Sequence, residues 1–307
     1  MSTKTLPPLT SLKKPLDLSP DTFGELRRSP EIAGDGDAMR ARLEEDGYLF
    51  LPGYLDREEV IKARRVLTDR LDAEGFLDPN FPPEQAIART DSNLYFRHNT
   101  PLESDALPTL LYSGRMMSLY ERLLGGKVRH FDFTWIRNVT PGDGTAPHCD
   151  IVYMGRGTTN LYTSWTPLSD IPYEVGGLMV LENSHKNERL KNGYGRKDAD
   201  EWCTNHRAEP GDGPGMGGNI GRGGSLSNDP VRLRQGLGGR WLTSEYCMGD
   251  LLIFSMYLVH ASLDNHSREI RISTDTRYQL ASEPIDERWI GETPIAHNPK
   301  AKRGLIC

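Results

Sequence analysis

Val128-Arg129-His130-Phe131-Asp132-Phe133-Thr134-Trp135-Ile136-Arg137-Asn138-Val139 is where the chain changes character. Apolar and polar residues alternate through it, and aromatic and β-branched side chains dominate, the pattern of a pleated strand with one buried face. Before this stretch the apolar spacing is helical. After it come further extended runs at 151–153, 158–165, 177–181, 251–256 and 270–280. Long irregular connections separate them rather than regular helices, which predicts an antiparallel barrel or double sheet and excludes a βαβ array. The fold class expected is mainly β with flanking helices.

Upstream, residues 1–35 carry Pro7, Pro8, Pro15, Pro20 and Pro30 with little periodicity and read as an N-terminal arm, meandering over the surface or partly disordered. Residues 36–307 are expected to form a single domain. Asp37 to Glu45 is a short helical pattern, Tyr48-Leu49-Phe50-Leu51 an apolar strand, and Asp56 caps an amphipathic helix running to Ala73. The proline-rich segment from Phe76 to Pro108 reads as loop, and Leu110 to Leu124 as a second helix stopped by Gly125-Gly126. Between Lys186 and Met248 lies a long Gly-rich insertion. Its Gly213, Gly215 and Gly218 match Gly-x-Gly-x-x-Gly, but no strand precedes them and no amphipathic helix follows, so a dinucleotide site is excluded.

The 307 residues carry a net charge of −6, which argues against nucleic acid as a partner. No apolar run approaches the ~18 residues that span a bilayer, so no membrane partner and a cytoplasmic location are expected. Cys149, Cys203, Cys247 and Cys307 stand far apart with no Cys-x-x-Cys pair and read as free thiols.

Chemistry concentrates in two places. His148-Cys149-Asp150 follows a turn-rich segment; on extended chain its first and third side chains share a face and reach one metal ion, with Cys149 turned away into packing. The buried run Asp250 to Val259 ends on His260, with Ser262 two positions on. Arg271, between Ile270 and Ile272, is a guanidinium in a half-buried strand and needs a carboxylate, either a protein acid such as Asp275 or a dicarboxylate cosubstrate. Two histidines and one carboxylate leave one face of an octahedral ion open, an arrangement suited to non-haem Fe(II) and O2, and 2-oxoglutarate is the cosubstrate that fits a nearby arginine.

These pieces, together with Glu45 to Leu55, Trp165 to Asp170 and Gly176 to Lys186, resemble the phytanoyl-CoA dioxygenase family of Fe(II)/2-oxoglutarate oxygenases over about residues 43–280. The resemblance implies a double-stranded β-helix, the jelly-roll core shared with cupins. It implies His148, Asp150 and His260 as iron ligands, Arg271 as the salt-bridge partner of 2-oxoglutarate, Ser262 as the hydroxyl at the same carboxylate and Trp165 as a cosubstrate-side aromatic. His185 matches a structural turn histidine. The insertion is longer than in compact members, and Asn183 stands where the family often has glycine.

The activity implied is oxidative decarboxylation of 2-oxoglutarate to succinate and CO2, coupled to attack on an unactivated C–H bond of a small molecule. With Asp150 present, hydroxylation is expected ahead of halogenation, desaturation, ring closure or epimerisation. Two competing readings are a cupin-type metal isomerase or lyase and a catalytically inactive jelly-roll sensor of small molecules. Arg97, His98, Arg137, Tyr153 and Tyr162 fall in segments expected to flank the substrate cavity. The sequence carries no signal of oligomeric state.

Overall fold

The computed structural model describes residues 8–90, 94, 104–200 and 224–297. Arg97, His98 and the Gly-rich centre of the expected insertion lie outside the described residues. The chain opens with β1 (Thr10–Ser11), β2 (Lys14–Pro15) and β3 (Phe23–Glu25). Helix α1 (Gly36–Asp46), strand β4 (Tyr48–Leu51) and helix α2 (Arg57–Ala73) follow. Next come α3 (Ala106–Tyr112), α4 (Gly114–Leu124), β5 (Val128–His130) and β6 (Trp135–Val139). The second half holds α5 (Ile151–Met154), β7 (Leu161–Pro167), β8 (Leu178–Leu181), α6 (Glu188–Asn192) and α7 (Pro230–Leu237). It closes with β9 (Trp241–Thr243), β10 (Leu251–Ser255), β11 (His260–Ser262) and β12 (Arg271–Leu280).

Local chemistry sets the helix ends. The Asp56 carboxylate accepts the N–H groups of Glu58 and Glu59, and these two acids complement the positive end of α2. Helix α1 stops at Gly47, whose φ of 79° suits glycine and whose missing Cβ leaves room for the His185 ring. The helix expected over 110–124 is instead two. Ser113 is extended, with φ −142° and ψ −178°, and its hydroxyl donates to the Thr109 carbonyl. A side chain that satisfies a helix-end carbonyl competes with continuing the helix.

Among the described residues the strands form a six-stranded sheet, β4-β10-β7-β12-β5 with β6 also on β12, and a four-stranded sheet, β11-β8-β9-β3. Their pairings are antiparallel except β3 with β9. Helices α1 to α4 cover the outer face of the larger sheet, burying Leu49, Leu51, Ile253, Ile272 and Tyr278. Phe50, Trp165, Leu252 and Phe254 of the larger sheet pack against Leu178, Val180 and Leu242 of the smaller one. This is the double-stranded β-helix. Burial on both faces explains why β4 and β10 read as unbroken apolar runs rather than alternations.

Strand β12 departs from that rule. Its outward residues include Ile272 and Tyr278, whereas Arg271, Ser273, Asp275, Arg277 and Gln279 alternate with them and face inward, all buried. A charged stripe therefore lies inside the protein.

From Pro8 on, the N-terminal arm is built into the fold. Leu9 and Phe23 are buried in the core, and β3 forms the last strand of the smaller sheet. The turn between β1 and β2 clasps Asp264, whose carboxylate accepts from Leu12 N at 2.8 Å, Lys13 N at 2.7 Å and the Thr10 hydroxyl at 2.6 Å. Leu12 and Lys13 both have positive φ, 50° and 62°, a conformation that aims successive N–H groups at one acceptor. Hydrogen bonds to a carboxylate contribute about 1.5–3 kcal/mol each. Asp264→Asn is therefore expected to loosen the arm and speed trypsin cleavage after Lys13, and unchanged cleavage kinetics at this turn would refute the clasp.

Candidate active site

His148 and His260 face each other as an isolated antiparallel bridge. His148 N donates to His260 O and His260 N to His148 O, both at 3.0 Å. A directly opposed pair projects its side chains to the same side, and the two imidazole centroids are 4.1 Å apart. Each ring is oriented from behind by a carbonyl two residues earlier. His148 Nδ1 donates to Ala146 O at 2.8 Å and His260 Nδ1 to Leu258 O at 3.1 Å. A carbonyl only accepts, so each Nδ1 carries the proton and each Nε2 presents a lone pair.

Asp150 completes the set by a different route from the one its spacing suggests. The run expected to continue extended at 151–153 is the helical turn α5, and Asp150 itself is helical, with φ −67° and ψ −24°. The chain bends after Cys149 and swings the carboxylate under the two rings. Its Oδ1 lies 3.8 Å from His148 Nε2 and 3.7 Å from His260 Nε2. One donor atom from each residue lies within 4.8 Å of the others, close enough to share one metal ion.

Burial is the main force on these groups. It pulls His148 down to about 3, helped by the neighbouring His260, and lowers His260 against the pull of Asp150. Burial pushes the Asp150 carboxyl up, but Arg277, both histidines and the Thr163 hydroxyl together hold it well below the usual carboxylate range. The site therefore presents two neutral imidazoles and one carboxylate, the protonation states that bind a dication.

Arg271 sits inside β12 with 2% of its surface exposed. Its Nη1 donates to the carbonyl of Gly176, a residue at φ 80°, and its Nε is buried without a partner. The protein acid considered for it, Asp275, is taken: Asp275 Oδ2 accepts from Arg137 Nε at 2.7 Å. Among the described residues no carboxylate lies within ion-pair distance of Arg271. Burial pulls its guanidinium down to about 10 against the opposing pull of Asp275. On β11 of the smaller sheet, Ser262 Oγ accepts from Thr145 N at 2.8 Å, which keeps its own O–H proton available to an acceptor.

The remaining expected residues divide. Tyr153 meets the His148 ring edge-on at 5.6 Å between centroids and so borders the site. Arg137 also lies beside it, but its Nε is committed to Asp275. Trp165 points inward yet is 1% exposed and packs edge-on against Tyr246 at 4.7 Å, as part of the wall. The expectation for Tyr162 is corrected: it points outward and packs against the helix-side core, because Thr163 next to it takes the inward position. Cys149 is buried, its thiol donating to Tyr257 O at 3.4 Å. His185 meets Glu44 O through Nε2 at 3.1 Å and stands apart as a turn residue. Asn183, at φ 59°, occupies the left-handed conformation that asparagine tolerates best after glycine.

Two site residues were missed. Arg277 donates to Asp150 Oδ2 at 2.9 Å, and the Thr163 hydroxyl donates to the same oxygen. The signal for Arg277 was present in the two-residue period of polar side chains along β12; for Thr163 there was none, since threonine is ordinary in a strand.

A family model described as phytanoyl-CoA dioxygenase matches residues 43–273. A 1-deoxypentalenic acid 11-beta-hydroxylase of Streptomyces exfoliatus is 25% identical over 279 residues, covering 85% of this chain and 87% of the relative. Among solved structures, EctD from S. alaskensis with 2-oxoglutarate and 5-hydroxyectoine is 15% identical with a TM-score of 0.56, covering 100% of this chain and 96% of that one. The epimerase SnoN in complex with Fe3+, alpha ketoglutarate and nogalamycin RO is 21% identical with a TM-score of 0.52, covering 87% and 94%. At these identities the two structures speak to the fold.

The buried histidines make the metal-free protein acid-sensitive. A histidine whose folded value is depressed contributes stability fully above the unfolded value near 6.5, and loses it as pH falls toward the folded value. Between pH about 6.5 and 5, His148 should withdraw up to about 1.4 kcal/mol per pH unit, and His260, also lowered by burial, adds a loss of the same sign. Urea titrations of the metal-free protein are expected to show a fall in stability at least this steep and a shallower one in His148→Gln. A flat profile over that interval would contradict the buried, neutral assignment.

Proposed function

The chain belongs to the phytanoyl-CoA dioxygenase family and is a non-haem-iron, 2-oxoglutarate-dependent dioxygenase, and on that premise we propose that it hydroxylates an unactivated C–H bond of a small organic molecule with release of succinate and CO2. In this reading His148, Asp150 and His260 hold Fe(II). Arg271 takes the distal carboxylate of 2-oxoglutarate and Ser262 donates its hydroxyl to the same group. Iron with 2-oxoglutarate and O2 supplies an oxidant strong enough to take a hydrogen atom from carbon and return a hydroxyl. The observation that carries the reading is Arg271, a guanidinium buried on the inner face of β12 with Asp275 already paired elsewhere.

The protein's own groups then have definite tasks. The carbonyls of Ala146 and Leu258 keep both Nε2 lone pairs aimed inward. With a metal ion bound, Asp150 would fill the position that a halide would need, which favours hydroxylation. The relative from Streptomyces exfoliatus, named as a hydroxylase, supports the same outcome. Tyr153 and Arg137 border the volume where substrate lies, and Trp165 backs the cosubstrate side. The free thiols Cys149 and Cys247 suit a reducing, cytoplasmic setting.

The purified protein supplied with Fe(II) is expected to form succinate from 2-oxoglutarate only in the presence of O2. His148→Ala, Asp150→Ala and His260→Ala should abolish it. Arg271→Ala leaves a carboxylate without its buried counter-charge, a loss of several kcal/mol, and should raise the 2-oxoglutarate requirement about a hundredfold or more. An unchanged requirement would remove Arg271 from the site, and turnover without O2 or 2-oxoglutarate would favour a cupin-type isomerase or lyase.

A further inference from the structure

Arg277 is the second arginine on the inner face of β12 and is 1% exposed. Its Nη2 donates to Asp150 Oδ2 at 2.9 Å, and its guanidinium carbon lies 4.1 Å over the Trp135 ring. Among the described residues Nε and Nη1 are buried with no hydrogen-bond partner, so the residue is held at a cost that hydrogen bonding to them does not offset. Burying a cation this deeply is expensive unless a specific charge requires it. The charge it meets is Asp150.

The contact divides the two oxygens of that carboxylate. Oδ2 accepts from both Arg277 and the Thr163 hydroxyl, which uses its lone pairs. Oδ1 alone faces His148 Nε2 and His260 Nε2, at 3.8 Å and 3.7 Å. A carboxylate beside a dication can bind through one oxygen or both, and the second mode consumes a further metal position. Resting on the ligand assignment above, we propose that Arg277 is a positioning residue: it pins Oδ2 so that Asp150 binds the metal through Oδ1 only, leaving one more position for exogenous ligands. Thr163 assists from the other side of the same oxygen.

Arg277→Met tests this with readouts other than turnover. Removing the guanidinium takes a positive charge away from the metal and frees the second oxygen. Anaerobic Fe(II) titration should therefore show binding at least as tight as in the parent protein, whereas Asp150→Ala binds weakly. Nitric oxide, a probe of an open position on Fe(II), should be taken up by the parent protein loaded with Fe(II) and 2-oxoglutarate. Its uptake should fall about tenfold in Arg277→Met, a difference of about 1.4 kcal/mol between an open position and one filled by the freed carboxylate oxygen.

Thr163→Val, a near-isosteric change that removes the second donor, should move both readouts in the same direction to a smaller extent, and it serves if Arg277→Met does not fold. Nitric oxide uptake equal to the parent in both variants overturns the proposal. So does Fe(II) binding weakened as far as in Asp150→Ala, which would make Arg277 a support for the site rather than a constraint on its geometry. Equal Fe(II) binding by the parent and His148→Ala would instead refute the ligand assignment itself.

Discussion

The reciprocal backbone hydrogen bonds between His148 and His260 are the constraint on which the site depends. They join the segment before α5 to strand β11, two parts of the chain far apart in sequence, and do so by main-chain geometry alone. Because the two residues are directly opposed, their rings converge without either side chain having to search for the other. The carbonyl two residues before each histidine then fixes its tautomer. Preorganisation of this kind means a metal ion meets donors already oriented, and the ordering entropy has been met by folding.

Around that pair the buried charges are arranged by strand periodicity. Arg271, Ser273, Asp275 and Arg277 follow one another at alternate positions of β12, on the face that looks into the protein. Asp275 is matched by Arg137 from the adjacent strand β6, and Arg277 is matched by Asp150. Among the described residues, Arg271 is the member of this group with no protein acid within ion-pair distance. A buried guanidinium in that position is costly, and the cost is tolerable where an acid from outside completes the set. The same alternation that builds the hydrophobic outer face of β12 thus builds the charged stripe on its inner face.

The approaches to this stripe are held by turns rather than by the core. Gly176, at φ 80°, offers its carbonyl to Arg271, and a Cβ there would come within 2.6 Å of the Asp264 carbonyl. Asp264 in turn is gripped by Thr10, Leu12 and Lys13 of the N-terminal arm, and the Ser11 hydroxyl donates to Ser262 O. The arm therefore braces the end of β11 that carries Ser262. Mechanical support of Ser262 and of the turn that meets Arg271 comes from the segment whose sequence looked least structured.

The sequence by itself determined the class of fold, the helix cap at Asp56 and the helix stop at Gly125, and the residues that make up the donor set. Those features are local: hydrophobic periodicity, capping side chains and turn glycines act within a few residues, so they can be read in order along the chain. It misjudged what depends on which way a strand faces or where a strand ends. Tyr162 looked like a pocket residue until the register of β7 turned it toward the helices, and the 151–153 run looked extended until the chain bent to bring Asp150 beneath the histidines. Only the tertiary structure decided which acid pairs with which arginine, because Asp275, Arg137, Asp150, Arg277 and Arg271 are brought within reach of one another by sheet pairing, and charge complementarity carries no address in the sequence until that pairing exists.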